Sequence, residues 1–277
     1  MNYRIVTDSS SNLLEKDRPN LGVVPLHILV GDQEFIDDET LELAHFQEEL
    51  CAYKGKSSTS CPSPQEWEAA FADADVVFCV TITSGLSGSY RSAVAAKDMY
   101  ESEHPGRIVY VIDSLSTGPE LVLLVDKLYQ LFDANLPHEQ IYQELCGYLD
   151  KTHLCFSLAS VDNFAKNGRI SPIIAKGVGI LGIKIVGQAS DEGTLQVLEK
   201  CRGDKKAFPY LVNYLQKKGY AGGRLIIAHN NNPGGADELM QLFHEAFGSF
   251  EGSIHGTRGL CSYYAEPQSI LIGFESV

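Results

Sequence analysis

The sequence predicts an α/β fold in two parts: an N-terminal, mostly parallel open sheet with flanking helices, then a mixed α/β C-terminal domain. Three observations lead there. Short β-branched runs alternate with helical patterns through the first half. The chain has 277 residues, 44% of them hydrophobic, which suits two cores better than one. The pattern then changes near residue 152, giving expected domains of 1–152 and 153–277.

In the first part, residues 3–6, 23–30, 76–82 and 107–113 read as strands. Continuous apolar runs of this kind suit a parallel sheet covered on both faces. Helical patterns lie between and after them, at 40–54, 64–73, 88–103, 119–134 and 138–151. Ser63-Pro64-Gln65-Glu66 is a capping box with proline at the first helical position. In the second part, "LCFSL" (154–158) leads into a short helix, and two apolar runs flank a hairpin-like Asp191-Glu192-Gly193 turn. A helix at 204–218, a strand at 224–229, a helix at 234–247 and strands at 252–256 and 269–274 complete it.

Composition narrows the function. The formal net charge is -14, which disfavours nucleic acid and anionic membrane surfaces as partners. Seven cysteines with no C-x-x-C spacing fit a reducing compartment rather than a disulfide framework. The eight histidines are dispersed, and no metal site is expected. The run "IIAKGVGILGIKIVG" is broken by Lys176, Lys184 and glycines, so no membrane span is expected. The first residues contain no signal-like apolar segment, and a cytoplasmic location is expected.

Three first-half strands run into hydroxyl-rich loops: Thr7-Asp8-Ser9-Ser10-Ser11, Thr83-Ser84-Gly85-Leu86-Ser87-Gly88 and Ser114-Leu115-Ser116-Thr117-Gly118. In open parallel sheets, ligands gather outside the carboxyl ends of the strands, where helix N-termini favour an anion. Each loop also has a purely local explanation, because these residue types cap helices and make tight turns. A further polar stretch, Thr59-Ser60, precedes the cap at Ser63 and is free to face a cleft. The 83–88 loop has no lysine and is not a P-loop. It nearly matches a nucleophile elbow, G-x-S-x-G, with Ser89 in place of the last glycine. Asp113 and His229 follow Ser87 in the chain order of an α/β-hydrolase triad, so a serine hydrolase using Ser87, Asp113 and His229 is one alternative.

Taken in order, the motifs resemble the DegV family, the acyl-binding subunits of bacterial fatty acid kinase. They are "TDSS" (7–10), "VVPL" (23–26), "GDQEFIDD" (31–38), "STSCPSP" (58–64), "TITSGLSGSYRSA" (81–93), "IDSLSTG" (112–118), "NFAKNGRIS" (163–171), "LGIKIV" (181–186), "DEGTL" and "KCRGDKKA" (200–207). The resemblance implies a two-domain DegV-like fold that buries one long-chain fatty acid, such as palmitate, stearate or oleate, in an apolar tunnel. It implies no catalytic residues and no cofactor in this chain. A separate ATP-dependent fatty acid kinase subunit would phosphorylate the bound carboxylate for phospholipid synthesis. By motif matching, Thr59 and Ser84 would hold the carboxylate, Ser60 and the backbone at Gly85 would assist, and Arg169 would lie near the site exit. Where the family carries a histidine in G-T-H-x-G-P-G, this chain has Arg258. Arg258 is either a cationic partner of the carboxylate or a structural substitute. The change bears on kinase hand-over, and a lipid carrier or sensor without hand-over is the other alternative.

Overall fold

The computed structural model describes residues 2–170 and 182–276. The glycine-rich run 171–181, with Ser171 of the "NGRIS" motif, lies outside the described residues.

Four strands, β1 (Tyr3–Asp8), β2 (Leu21–Val24), β6 (Val76–Thr81) and β7 (Ile108–Asp113), form a wholly parallel sheet in the order β2-β1-β6-β7. Their side chains alternate between two cores, as period-two geometry requires. Val76, Phe78 and Val80 face helices α4 (Pro119–Asp133) and α5 (His138–Leu149). Val77 and Cys79 face α2 (Pro64–Phe71) and α3 (Ser89–Glu103). The sheet is therefore buried on both sides, which is why its strands read as unbroken apolar runs. The capping box at Ser63 and Glu66 starts α2 as predicted.

The expected strand 23–30 is two strands in two sheets. β2 is the edge strand and pairs only with β1; Pro25 has no N–H to offer that ladder, so β2 stops at Val24 and β3 (His27–Val30) joins a different sheet. β3 pairs antiparallel with β4 (Gln33–Ile36) and β5 (Ser58–Ser60). This small sheet rests on α1 (Leu43–Ala52), which begins three residues later than expected. Its core joins Ile28, Val30, Phe35 and Phe46 to Tyr263 from near the C-terminus.

The third sheet is mixed and runs β10-β9-β8-β13-β11-β12. Its strands are β8 (Thr152–Leu158), β9 (Ile183–Ala189), β10 (Leu195–Arg202), β11 (Leu225–Asn230), β12 (Gly252–Gly256) and β13 (Ser269–Glu275). β9 and β10 form the expected hairpin across residues 190–194. A short α6 (Asp162–Lys166) follows β8. Helices α7 (Asp204–Lys217) and α8 (Pro233–Phe247) cover one face through Ile270, Ile272 and Phe274 of β13. Alternate residues, including Leu154, Phe156, Leu158 and Leu271, point the other way. A last helix, α9 (Gly259–Ala265), was not predicted. No helix among the described residues is long and apolar enough to cross a membrane.

Candidate functional site

Because β1, β6 and β7 are parallel and in register, their carboxyl ends meet on one edge; Thr81 lies opposite Asp113. The three hydroxyl-rich loops are knitted there by backbone bonds. Thr83 N–H donates to the Ser116 carbonyl at 2.9 Å, and Gly118 N–H donates to that of Ser10 at 2.9 Å. At the centre is the fully buried carboxylate of Asp8. It accepts from Ser10 N–H (3.2 Å), Ile82 N–H (2.9 Å), Ser89 Oγ (2.8 Å) and Ser10 Oγ. Burial raises its pKa, and these four donors pull it back down.

Between this edge and the outward face of the six-stranded sheet lies a cavity of about 270 Å³. The sheet wall is Leu154, Phe156 and Leu158 of β8, with Ala189, Leu195 and Leu271 beside them. Leu26, Ile82, Leu86 and Leu260 close the opposite side. The polar lining is nearly all hydroxyl: Thr59, Ser60, Thr83, Ser87, Ser116, Thr117, Thr194 and Tyr264. Arg169 is the single charged side chain among the described lining residues. A strongly acidic protein has thus kept every described carboxylate off the surface of this cavity.

The free hydroxyl protons can be located by elimination. Ser89 is committed to Asp8, and Thr83 Oγ1 donates to the Gly193 carbonyl (2.8 Å) while accepting from Gly85 N–H (3.0 Å). Thr81 Oγ1 faces the Ile112 carbonyl at 3.4 Å. Ser87 Oγ only accepts, from Ser89 N–H at 3.2 Å, so its own proton remains available to the cavity. Thr59 Oγ1 and Tyr264 Oη share one bond of 2.8 Å, which leaves one of the two protons over. Burial pushes the Tyr264 phenol up, while its bond to Thr59 and the charge of Arg169 act against that. Arg169 donates to the carbonyls of Asn167 (2.6 Å) and Leu86 (3.4 Å), which fixes its guanidinium beside this group.

The structure therefore brings Thr59, Ser60 and Arg169 together on one cavity. Ser84 and Gly85 are not on its lining: the Ser84 amide donates to Asp113 Oδ1 (3.0 Å) and Gly85 packs against the β9–β10 turn. Ser87 lines the cavity where Ser84 was expected to. Arg258 is off the cavity as well. Its Nη2 donates to the Asp38 carbonyl at 2.6 Å, and its charge stabilises the buried Asp37 carboxylate, which accepts from Gly259 and Leu260 N–H. Burial still pushes Asp37 up to about 6.

The hydrolase triad is not assembled. Asp113 Oδ1 accepts from the Ser84 and Leu115 amides, and His229 Nδ1 faces Asn232 N–H at 3.4 Å on β11. Among the described residues no hydrogen bond joins Ser87, Asp113 and His229, and neither Asp113 nor His229 lines the cavity. A nucleophile needs its base within hydrogen-bond reach and that base oriented by a third group. Tyr264 was missed by sequence reasoning, since "SYYA" matches no site motif.

One more contact shapes the site. The β9–β10 turn reaches across to the Thr83–Gly85 loop, glycine against glycine. A β-carbon on Gly85 would lie 2.6 Å from the Glu192 carbonyl oxygen, and one on Gly193 would lie 2.0 Å from Thr83 Oγ1. Gly193 also has φ +70, a conformation that favours glycine.

A hydroxyl-lined, largely apolar cavity at the carboxyl edge of a parallel sheet defines an α/β ligand-binding fold. The DegV family model, described as "Uncharacterised protein, DegV family", matches residues 2–276. A DegV domain-containing protein of Streptococcus gordonii is 44% identical over 279 residues, covering 99% of each chain. The crystal structure of the Streptococcus pneumoniae fatty acid kinase (Fak) B3 protein loaded with linoleic acid is 42% identical, with a TM-score of 0.98 and full coverage of both chains. A DegV family protein of Eubacterium eligens loaded with heptadecanoic acid is 40% identical, with a TM-score of 0.97 over 99% of this chain and 100% of that one. The chain belongs to the DegV family.

Proposed function

We propose that this chain binds one long-chain fatty acid, its tail in the apolar cavity and its carboxylate at the hydroxyl cluster, and presents that carboxylate to a separate ATP-dependent kinase. The observation that carries the reading is the lining itself: apolar walls, neutral hydroxyl donors, one arginine and no described carboxylate. The fatty acids bound by the pneumococcal and Eubacterium relatives support it. Most of the affinity comes from the tail, at about 0.8 kcal/mol per buried CH₂, so ten methylenes contribute about 8 kcal/mol. Two or three charge-assisted hydrogen bonds add roughly 1.5–3 kcal/mol each and fix which end of the ligand faces out.

Thr59, Ser60 and Ser87 are the carboxylate donors in this reading, with Arg169 offsetting charge at the exit. Ser84 and Gly85 shape the loop behind them. In the hand-over, a carboxylate oxygen attacks the γ-phosphorus of ATP held by the partner, ADP leaves, and an acyl phosphate remains in the cavity. This chain then needs no catalytic group of its own. A carrier without hand-over is favoured by one feature: Arg258, standing where the resemblance puts a histidine, is tied to Asp38 instead of the cavity.

Mass spectrometry of protein purified under native conditions and then denatured tests the binding. One equivalent of a long-chain acid is expected, and an empty protein that hydrolyses esters overturns the reading. Adding a fatty acid kinase subunit and ATP to the loaded protein then separates hand-over, seen as acyl phosphate, from simple carriage.

A further inference from the structure

The geometry points to Phe156 as the side chain that sets how much acyl chain the cavity accepts, with Gly187 as the seat that holds its ring. The inference rests on the acyl-binding reading above. Phe156 is on β8, is 5% exposed, and lines the cavity between Leu154 and Leu158. Directly across the strand pair is Gly187 of β9. Side chains normally stand roughly perpendicular to a sheet. Here a β-carbon at position 187 would lie 2.4 Å from Phe156 Cε2 and 2.6 Å from Cζ. The ring therefore lies over the neighbouring strand, in space that only a glycine leaves open, and not upright in the cavity.

Two comparisons single this residue out. The other phenylalanine of the lining, Phe164, packs on Tyr264 with ring centroids 4.8 Å apart, and Tyr264 bonds Thr59. Phe164 thus belongs to the head of the site. Phe156 has no aromatic partner among the described residues; aliphatic neighbours such as Leu158, Ile185 and Leu271 pack with it, and the open space at Gly187 is what lets the ring lie flat. The leucines on either side are smaller and branched, and rotating them moves less volume. The Phe156 ring is the largest block on the sheet wall, and its angle decides the depth left for the end of an acyl chain.

The test uses delipidated wild-type protein, Phe156→Leu and Phe156→Ala, each titrated with saturated acids from myristate to arachidate. The acids that co-purify from one host are identified alongside. Both variants are expected to move the preferred chain longer by about two carbons, changing the preference for the longer over the shorter acid by about tenfold. The Leu variant carries the test if the Ala variant fails to fold. Gly187→Ala is not used, because its β-carbon would also meet the Gln196 carbonyl oxygen at 2.5 Å. A loaded wild type with an unmoved length profile in Phe156→Leu overturns this inference and leaves acyl binding standing. An empty wild type removes both.

Discussion

The two sides of the cavity are built by opposite means. On the first-half side, loops hold their shape through backbone and hydroxyl bonds gathered on one buried carboxylate, Asp8. On the second-half side, regular strands point Leu154, Phe156, Leu158, Leu195 and Leu271 into the cavity. Hydrogen bonds are directional, so the loop side is suited to fix where a polar group sits. Apolar contact is non-directional, so the sheet side sets volume and little else. Position and capacity are thereby separated in one site.

The strongest way to break this division is to remove its organiser. Asp8→Ala leaves the amides of Ser10 and Ile82 and the Ser89 hydroxyl buried without an acceptor. Each such loss costs about 1–3 kcal/mol. The variant is expected to unfold about 4 kcal/mol more easily in urea and to carry no acid. A change below about 1 kcal/mol would show that Asp8 does not organise the loops.

Next comes the junction of the two sides, where Glu120 accepts from Ser116 of the loop cluster and from Thr152 Oγ1 (2.8 Å) at the start of β8. Burial pushes this carboxyl up from 4.5 to about 7 against those two bonds. The folded state therefore holds the proton more tightly than the unfolded chain does. Its contribution is fully present below pH 4.5 and is lost as pH rises through about 7. Unfolding free energy is expected to fall by roughly 3 kcal/mol across that window. Glu120→Gln should remove this slope, leaving the comparable decline from Asp37, which runs from 3.8 to about 6, and those from Asp8 and Glu266, which burial also raises. Denaturant midpoints measured from pH 4 to pH 8 decide it, and parallel curves for the two proteins would reject the assignment.

The smallest expected effects sharpen the comparison instead of breaking it. Thr59→Ala and Ser87→Ala each delete a hydroxyl with a proton to offer the cavity. Each should weaken fatty acid binding about tenfold and shift stability by less than about 1 kcal/mol. Ser84→Ala should leave affinity within about twofold, since Ser84 is off the lining. If Ser84→Ala weakens binding and Ser87→Ala does not, the donor set reverts to the one motif matching suggests. Chain-length preference should not move in any of the three.

Much of the first-half side was legible in sequence because its loops follow strands that are buried on both faces. β-branched runs announce those strands, and the hydroxyl clusters sit at their ends. The gathering of three loops on one edge follows from parallel topology alone. What resisted was orientation within a turn. Ser84 and Ser87 are equally good hydroxyls in sequence, and only the path of the chain, with the Ser84 amide drawn to Asp113, puts Ser87 on the lining. The division of 23–30 into two strands had a signal, Pro25, that the apolar run obscured. β5 had none, because Ser58, Thr59 and Ser60 are strand only through pairing with β3. Tyr264 and Arg258 take their roles from partners more than 200 residues away, Thr59 and Asp38, which no local pattern encodes.

The contact between Gly85 and Gly193 has a consequence for how this site can diversify. Neither position has room for a side chain, so the seam cannot be adjusted one substitution at a time. It acts as a constant in the design, holding the β9–β10 turn at a set height above the Thr83 loop. A descendant protein that came to prefer a different cargo would have to record the change elsewhere. The strands offer such a place, since one ring exchanged for an aliphatic chain alters what fits and leaves the receiving loops untouched.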